Sequence, residues 1–265
     1  MRTTKSQQAK NQRLLIRAAV DLMTEHGFEG TTMKQIARAA GLGDATIYNY
    51  FPSKERLVLA YFEHAFSDAL AAMQQTPDLA DFTLQEHMQL LIDAVLAELQ
   101  ADREFVAIAR RLVERTPVLL LSEELPGKAL LKSSFSDLLT QAETSGEIPP
   151  CGFKPSLSGL MADYVYGIVS YWLRDESDNF GNTTQLVDLS LGVLVLALKS
   201  GLVDKLLELG GFVLRSQLAR LMQSGNGLID LLQVIRGGMA GAGSGGSSGA
   251  GTGGGSKARS SRRAP

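Results

Sequence analysis

The stretch that decides the fold is GLGDATIYNYF, residues 41–51. Ile47 and Phe51 are four residues apart, so they share the inner face of a short helix that begins at residue 43 or 44 and ends at Pro52. The side chains left largely outside that face are Ala45, Thr46, Tyr48 and Asn49. Polar and aromatic side chains on an exposed face indicate contact with a partner.

Two amphipathic helices precede this stretch. The first is predicted over residues 6–26, where apolar residues recur at helical spacing, and Gly27 ends it. The second begins directly after Thr32, because Thr32 and Gln35 have the spacing of a capping box, and it ends at Gly41. Helix, short glycine-containing turn and short helix form the pattern of a helix-turn-helix unit, whose second helix enters the major groove of DNA.

The charge is unevenly distributed along the chain. The net charge of the whole chain is −2. Residues 1–56 hold nine basic and five acidic residues, residues 257–265 hold four basic and no acidic residues, and the residues between them have a net charge of −10. A basic N-terminal segment on an acidic remainder indicates that the N-terminal segment meets a polyanion.

The segment GFEGTTMKQIARAAGLGDATIYNYFPSKERL resembles the N-terminal domain of TetR-type transcriptional regulators. The matching features are Gly-Phe after the first helix, Thr-Thr before the second, the I-A-x-x-A-G core, the T-I-Y-x-Y-F recognition helix and the S-K-E-x-L that opens the next helix. The match covers residues 10–57, about a fifth of the chain. The resemblance implies an all-α homodimer that binds operator DNA. It also implies a variable helical C-terminal domain that binds a small molecule and releases the DNA.

Ten residues of this segment are candidate DNA contacts. Tyr48 and Tyr50 carry hydroxyls suited to phosphates, and the alternative is that their rings pack inside the small domain. Asn49 and Thr46 suit base edges, namely adenine and the thymine methyl group. Lys54 stands where the family places a contact to the DNA backbone, and its alternative is a solvated lysine. The full set is Thr32, Lys34, Gly43, Asp44, Ala45, Thr46, Tyr48, Asn49, Tyr50 and Lys54.

Asp44 is unexpected in that set, because a carboxylate repels phosphate and many relatives have a basic residue at this point. Two roles remain for it. It can cap the recognition helix by accepting hydrogen bonds from the amides of Thr46 or Ile47, which is the role we favour. Alternatively, it can accept a hydrogen bond from a cytosine amino group in the major groove.

The rest of the chain is predicted to form an orthogonal helical ligand-binding and dimerisation domain, so the fold class is all-α. Breaks rich in Pro, Gly and Asn separate the predicted helices. They lie at residues 53–74, 83–101, 102–115, 127–144, 155–174, 183–200 and 202–222. We divide the chain into a helix-turn-helix domain (1–57), a ligand-binding and dimerisation domain (58–201), extra C-terminal helices (202–236) and a disordered Gly/Ser-rich tract with a basic end (237–265).

The helices at 155–174 and 183–200 are apolar and rich in small residues. By resemblance they pair with their copies in a second subunit, and the alternative is burial within one chain. The extra segment 202–235 would pad the dimer, cover the ligand pocket or dock a partner. The basic end would add nonspecific attraction to DNA or be an inert tail.

A ligand pocket is expected among the helices of residues 83–174. Its candidate lining residues are Met88, Leu91, Phe105, Phe135, Met161, Tyr164 and Trp172. At helical spacing such residues are more often plain core. The lack of charges at a recognisable spacing there favours a lipophilic effector.

Several protein classes are disfavoured. The single cysteine, Cys151, excludes an intramolecular disulfide and a thiolate-rich metal site. The three histidines have no partner at metal-ligand or triad spacing, so no catalytic residue, metal or cofactor is expected. We see no secretory signal, and the apolar run at residues 189–198 is too short to span a bilayer, so a cytoplasmic location is expected.

The leading hypothesis is a ligand-responsive, dimeric transcriptional repressor that binds a palindromic operator. An activator of the same fold is an alternative within that class. A protein or membrane-surface adaptor that uses residues 202–235, and a helical enzyme, are alternatives from other classes.

Overall fold

The computed structural model describes residues 5–114, 125, 127–203, 205, 209, 210 and 212. These residues form α-helices joined by turns and short 3₁₀-helices, and they contain no β-strand, which confirms the all-α prediction. The α-helices are α1 (Lys5–Gly30), α2 (Met33–Ala39), α3 (Lys54–Met73), α4 (Leu84–Gln100), α5 (Arg103–Glu114), α6 (Lys128–Thr144), α7 (Lys154–Trp172) and α8 (Gly181–Lys199). The 3₁₀-helices are Ile47–Asn49, Leu79–Asp81 and Asp178–Phe180.

The chain divides into two compact units, residues 1–206 and 207–265, and α1–α8 all belong to the first. In the second unit, the described residues 209, 210 and 212 are helical. The predicted helix over 202–222 falls mostly outside the described residues, and the Gly/Ser-rich tract falls wholly outside them. The four-part division of the chain and the roles suggested for residues 202–235 therefore stay predictions.

Local signals set the ends of α1 and α2 as predicted. Gly27 has a φ of 75°, which interrupts the helical path near the end of α1. Thr32 caps α2, because its hydroxyl oxygen accepts from the Gln35 amide over 3.3 Å while the Gln35 side chain accepts from the Thr32 amide over 2.8 Å. Gly41, with a φ of 68°, follows the end of α2. The capping box and the end of α2 are confirmed, and Gly27 breaks the first helix as predicted, although helical residues continue to Gly30.

The α-helix predicted for the recognition segment, which begins at residue 43 or 44, is wrong in type. Residues 44–46 form turns, and a 3₁₀-helix covers Ile47–Asn49. Three amides of this stretch bond to the carbonyl three residues earlier, over 2.8–3.1 Å. Pro52 has no N–H and disfavours the α conformation in the residue before it, so too few residues remain to build regular α turns. The predicted inner face is nevertheless confirmed, since Ile47 and Phe51 are buried.

The later helices agree closely with their predicted ranges. Each end of α3–α8 lies within two residues of the predicted position. Thr83 and Glu86 form a second capping box at the start of α4, and Ser53 caps α3. A continuous hydrophobic core runs from α1 to α8. Its largest fully buried side chains include Trp172, Phe66, Phe105 and Phe135.

Candidate nucleic-acid interface

The recognition segment (residues 43–51) turns one face to the core and the other to solvent. Ile47 is fully buried, whereas Tyr48 is 52% exposed. Ala45 and Asn49 are also exposed, and Thr46 is half-exposed. The buried residue fixes the segment on the small N-terminal core, while the exposed side chains extend beyond it, as reading a DNA groove requires.

Tyr50 packs against the small domain. Its ring is half-buried, and its hydroxyl accepts a hydrogen bond from Asn11 Nδ2 over 2.9 Å. Asn11 Oδ1 in turn accepts from Gln7 Nε2 over 2.8 Å. Tyr50 therefore ties the recognition segment to α1. The hydroxyl hydrogen of Tyr50 can still be donated to phosphate, so a DNA contact here stays a prediction.

Lys54 also has a structural role. Its Nζ donates to the carbonyl of Phe28 over 2.5 Å and lies 4.3 Å from the centre of the Phe28 ring. These contacts join the start of α3 to the end of α1 and leave two ammonium N–H donors for a phosphate. Thr32 and Lys34, at the start of α2, are both exposed. Their contacts with DNA stay predictions.

The cap predicted for Asp44 is wrong. The amide of Thr46 bonds to the carbonyl of Gly43 over 2.8 Å, and no side chain caps the 3₁₀-helix. The Asp44 carboxylate instead accepts two hydrogen bonds from Arg38, from Nε over 3.2 Å and from Nη2 over 3.1 Å. A guanidinium offers a full charge and two parallel donors, so it outcompetes a single neutral amide.

Arg38 is the residue of this surface that the sequence pattern did not reveal. The hydrogen bonds that Arg38 donates to Asp44, followed by the negative charge of Asp44, raise the pKa of Arg38 above its usual value. The side chains of Arg38 and Asp44 are 72% and 38% exposed. The sequence did contain a signal for this pair, because opposite charges stand on the two sides of the Gly41–Gly43 turn. That turn brings the end of α2 close to the recognition segment.

Two family models match the chain. Residues 15–61 match the bacterial regulatory proteins of the tetR family, and residues 87–213 match the tetracyclin repressor-like C-terminal domain. Together the two matches cover more than half of the chain. The chain belongs to the TetR family.

Relatives of this TetR-family chain are transcriptional regulators. The fatty acid metabolism regulator protein of Bacillus subtilis is 30% identical over 138 residues, which are 51% of this chain and 69% of that protein. The HTH-type transcriptional regulator RutR of Escherichia coli is 31% identical over 140 residues, which are 51% of this chain and 63% of RutR. The crystal structure of a TetR regulator from Nitrosomonas europaea shares the fold, with a TM-score of 0.51 and 19% identity, over 69% of this chain and 96% of that one.

The pocket residues predicted for this TetR-family chain lie mostly in its core. Met88, Leu91, Phe105, Phe135, Met161 and Trp172 are all buried. Tyr164 is half-buried, and its hydroxyl lies 2.5 Å from Ser190 Oγ on α8. Apolar residues at helical spacing pack tightly in folded proteins, so periodicity cannot separate pocket lining from core. Their role in a pocket stays a prediction.

Several cavities open among the described residues, and two of them are large. One of about 750 Å³ opens between α1 and α5, and its lining includes Arg17, Asp21 and Phe105. The other, of about 960 Å³, lies between α6 and α7, and its lining includes Lys128, Ser133 and Asp163. Of the seven predicted pocket residues, Phe105 lines the first cavity and the other six line neither. Both cavities are lined by many polar side chains.

Helix α5 of the TetR-family chain is attached on two sides. Asp102, directly before α5, accepts a hydrogen bond from Arg17 of α1 over 2.9 Å. The Arg103 guanidinium lies 5.3 Å from the ring of Trp172 and 5.0 Å from that of Phe180. Its Nη2 lies 3.1–3.2 Å from three carbonyl oxygens at and after the end of α7. The start of α5 thus contacts both α1 and the end of α7.

An apolar surface remains exposed on α7 and α8. The α7–α8 apolar surface consists of Leu160, Tyr171, Leu186, Leu189, Val193 and Leu196. By length and composition, Asp178–Lys199 would suffice to cross a membrane, with a mean hydropathy of 1.3, although we expected its apolar run to be too short. The core helix of a soluble protein meets the same criterion. Within the part of the chain that the structure describes, no group of three His, Cys, Asp or Glu residues is placed to hold a metal ion.

Proposed function

We propose that this TetR-family regulator is a ligand-responsive dimeric repressor that binds a palindromic operator. The observation that carries the proposal is the recognition segment, which buries Ile47 and exposes Tyr48 and Asn49 at the surface of a basic N-terminal segment. A positively charged surface attracts the phosphates of DNA, and the exposed side chains suit groove contacts. Because the operator DNA of a bacterial regulator lies in the cytoplasm, the protein would act there.

The α7–α8 apolar surface supports a homodimer. Leu189, Val193 and Leu196 are 60%, 69% and 70% exposed, and their spacing places them on one face of α8. A monomer would leave this face in water, whereas a second copy would cover it with an identical face across a two-fold axis. Such a dimer would present two recognition segments to two operator half-sites.

The attachments of α5 support a route from effector to DNA. Asp102 holds α1, and Arg103 holds the end of α7. An effector that binds among the C-terminal helices and moves α5 would therefore shift α1, and with it the recognition segment that Tyr50 ties to α1. DNA release then follows from the difference in effector affinity between the two conformations.

We infer that the effector is small and lipophilic. The buried side chains among α4–α7 are almost all apolar, so a pocket opened there would favour an apolar ligand. The fatty acid metabolism regulator protein of Bacillus subtilis is a relative whose name points to fatty acids. Fatty acids are therefore the first compounds to test, by their effect on the melting temperature and then on DNA release.

Selection of binders from a random duplex DNA pool at physiological salt tests the proposal, because nonspecific binding is weak there. We expect a two-fold symmetric site. Tyr48→Ala should weaken binding to that site, and Tyr48→Phe, which keeps the ring and removes the hydroxyl, should weaken it as well if the hydroxyl contacts phosphate. If purified protein enriched no sequence, the DNA-binding function would be wrong.

A further inference from the structure

The ion pair between Arg38 and Asp44 leaves one edge of the guanidinium free. Nε–H and one N–H of Nη2 donate to the two carboxylate oxygens of Asp44, over 3.2 and 3.1 Å. A guanidinium carries five N–H donors, so three remain, two on Nη1 and one on Nη2. Two of them, one on each nitrogen, point out from the Nη1–Nη2 edge, which can bind O6 and N7 of guanine with two parallel hydrogen bonds.

The position of the pair suits base recognition. Arg38 is in the last turn of α2, and Asp44 lies at the N-terminal end of the recognition segment. In helix-turn-helix units the N-terminal residues of the second helix contact base edges. Lys34 lies one turn before Arg38 on the same face of α2, and both side chains are exposed. Arg38 is thus held beside the end of the segment that reads bases.

A contribution to folding stability does not account for the ion pair between Arg38 and Asp44. An ion pair this exposed contributes little to folding, because water and salt screen it. Its effect is instead to hold a long, flexible side chain in one orientation before DNA arrives. A donor fork that is already ordered loses less conformational entropy on binding, which favours affinity and selectivity.

We propose that Arg38 reads a guanine in each operator half-site and that Asp44 is its positioning residue. The inference rests on the proposed DNA-binding function and specifies one base contact within it. Asp44 then acts through Arg38 and does not touch the DNA itself. This also explains how a carboxylate is tolerated next to phosphates, since the charge of Asp44 is neutralised within the pair.

The test compares variants on the operator obtained by selection, with each base pair changed in turn. Arg38→Ala should lower the preference for one G·C pair per half-site by about tenfold to a hundredfold. Arg38→Lys keeps the charge but loses the planar fork, so it should bind DNA without regaining that preference. Asp44→Asn should relax the preference at the same base pair, while binding to unrelated DNA is unchanged or stronger because a negative charge is gone.

Asp68→Asn is the matched control. It removes a similarly exposed ion pair, between Arg13 of α1 and Asp68 of α3 with a distance of 3.1 Å, and should leave every base preference unchanged. The inference is overturned if Arg38→Ala keeps the preference, if Arg38→Lys retains it fully, or if Asp44→Asn changes a different base pair. A wild-type protein that selects no site would instead overturn the DNA-binding function, and this inference with it.

Discussion

At the scale of single residues, Asp175 accepts four hydrogen bonds. The amide and hydroxyl of Ser177 donate over 2.9 and 2.6 Å, and those of Thr183 donate over 2.8 and 2.6 Å. These bonds, with the Ser177 side chain contributing most, hold the pKa of Asp175 well below its usual range. Because Thr183 lies in the first turn of α8, Asp175 caps that helix from the preceding loop.

This carboxylate makes stability depend on pH. Its folded pKa is depressed, so its contribution is fully present above the ordinary aspartate pKa of about 3.9 and is lost as the pH falls towards the folded value. Asp175→Asn should therefore lower the melting temperature by several degrees at pH 7, and the difference from wild type should shrink between pH 5 and pH 3, measured by thermal unfolding. Asp178→Asn, at an exposed position nearby, is the control. A difference that stayed constant with pH would contradict the assignment.

Gly127 and Gly146 provide a second test at this scale. Both have positive φ, 83° and 77°. A Cβ at Gly127 would collide with the Phe66 ring, whereas a Cβ at Gly146 would meet nothing within 4 Å. Gly146→Ala should cost about 1–2 kcal/mol for the left-handed backbone alone. Gly127→Ala should cost roughly 1–3 kcal/mol more, from overpacking. Urea unfolding measures both, and equal losses would mean that the core absorbs the extra methyl group.

At the scale of elements, Arg103 fastens α5 to α7. The guanidinium stacks on Trp172 and Phe180 and donates to backbone carbonyls at and after the end of α7. Arg103→Ala should reduce the free energy of unfolding by about 2–4 kcal/mol, since it removes charged hydrogen bonds and the ring contacts together.

Arg111→Ala is the control on the same helix. Its side chain is exposed, and within the described part of the chain it makes one long bond of 3.4 Å, to the carbonyl of Ala107, so a loss within about 0.5 kcal/mol is expected. Denaturant titration distinguishes the two variants. A similar loss for both would show that the Arg103 contacts contribute little to the attachment of α5.

The elements themselves were largely predictable. The N-terminal ends of α2 and α4 follow from capping boxes. In a capping box, two residues three positions apart bond to each other's backbone amides, so the signal is local in the sequence. The recognition segment was predicted as an α-helix because its apolar spacing fits one. Periodicity does not register how few residues are left before Pro52, and the segment forms turns and a 3₁₀-helix instead.

At the scale of the whole molecule, the α7–α8 apolar surface predicts the oligomeric state. Replacing Leu189 and Val193 together by glutamate places two charges where a second copy would pack. We expect a monomer in sedimentation and a loss of operator affinity of roughly a hundredfold or more, because the two DNA-binding segments are no longer linked.

The control variant is Ala97→Glu, which adds a charge at an exposed position of α4 outside the apolar surface. It should leave both the mass in solution and the operator affinity unchanged. If the double variant stayed dimeric, the prediction that a second copy packs on the α7–α8 apolar surface would be wrong.

The sequence by itself determined the helical class, the helix ends and the helix-turn-helix unit, because caps, helix-ending glycines and apolar spacing act over three or four residues. Only the tertiary structure decided that Asp44 pairs with Arg38, that the predicted pocket residues lie mostly in the core, and that Leu189 and Val193 remain exposed. Each of these depends on how separate elements pack. A side chain at a turn bonds to whichever charge the packing brings near, and an apolar helix face is buried or exposed according to the surface it meets.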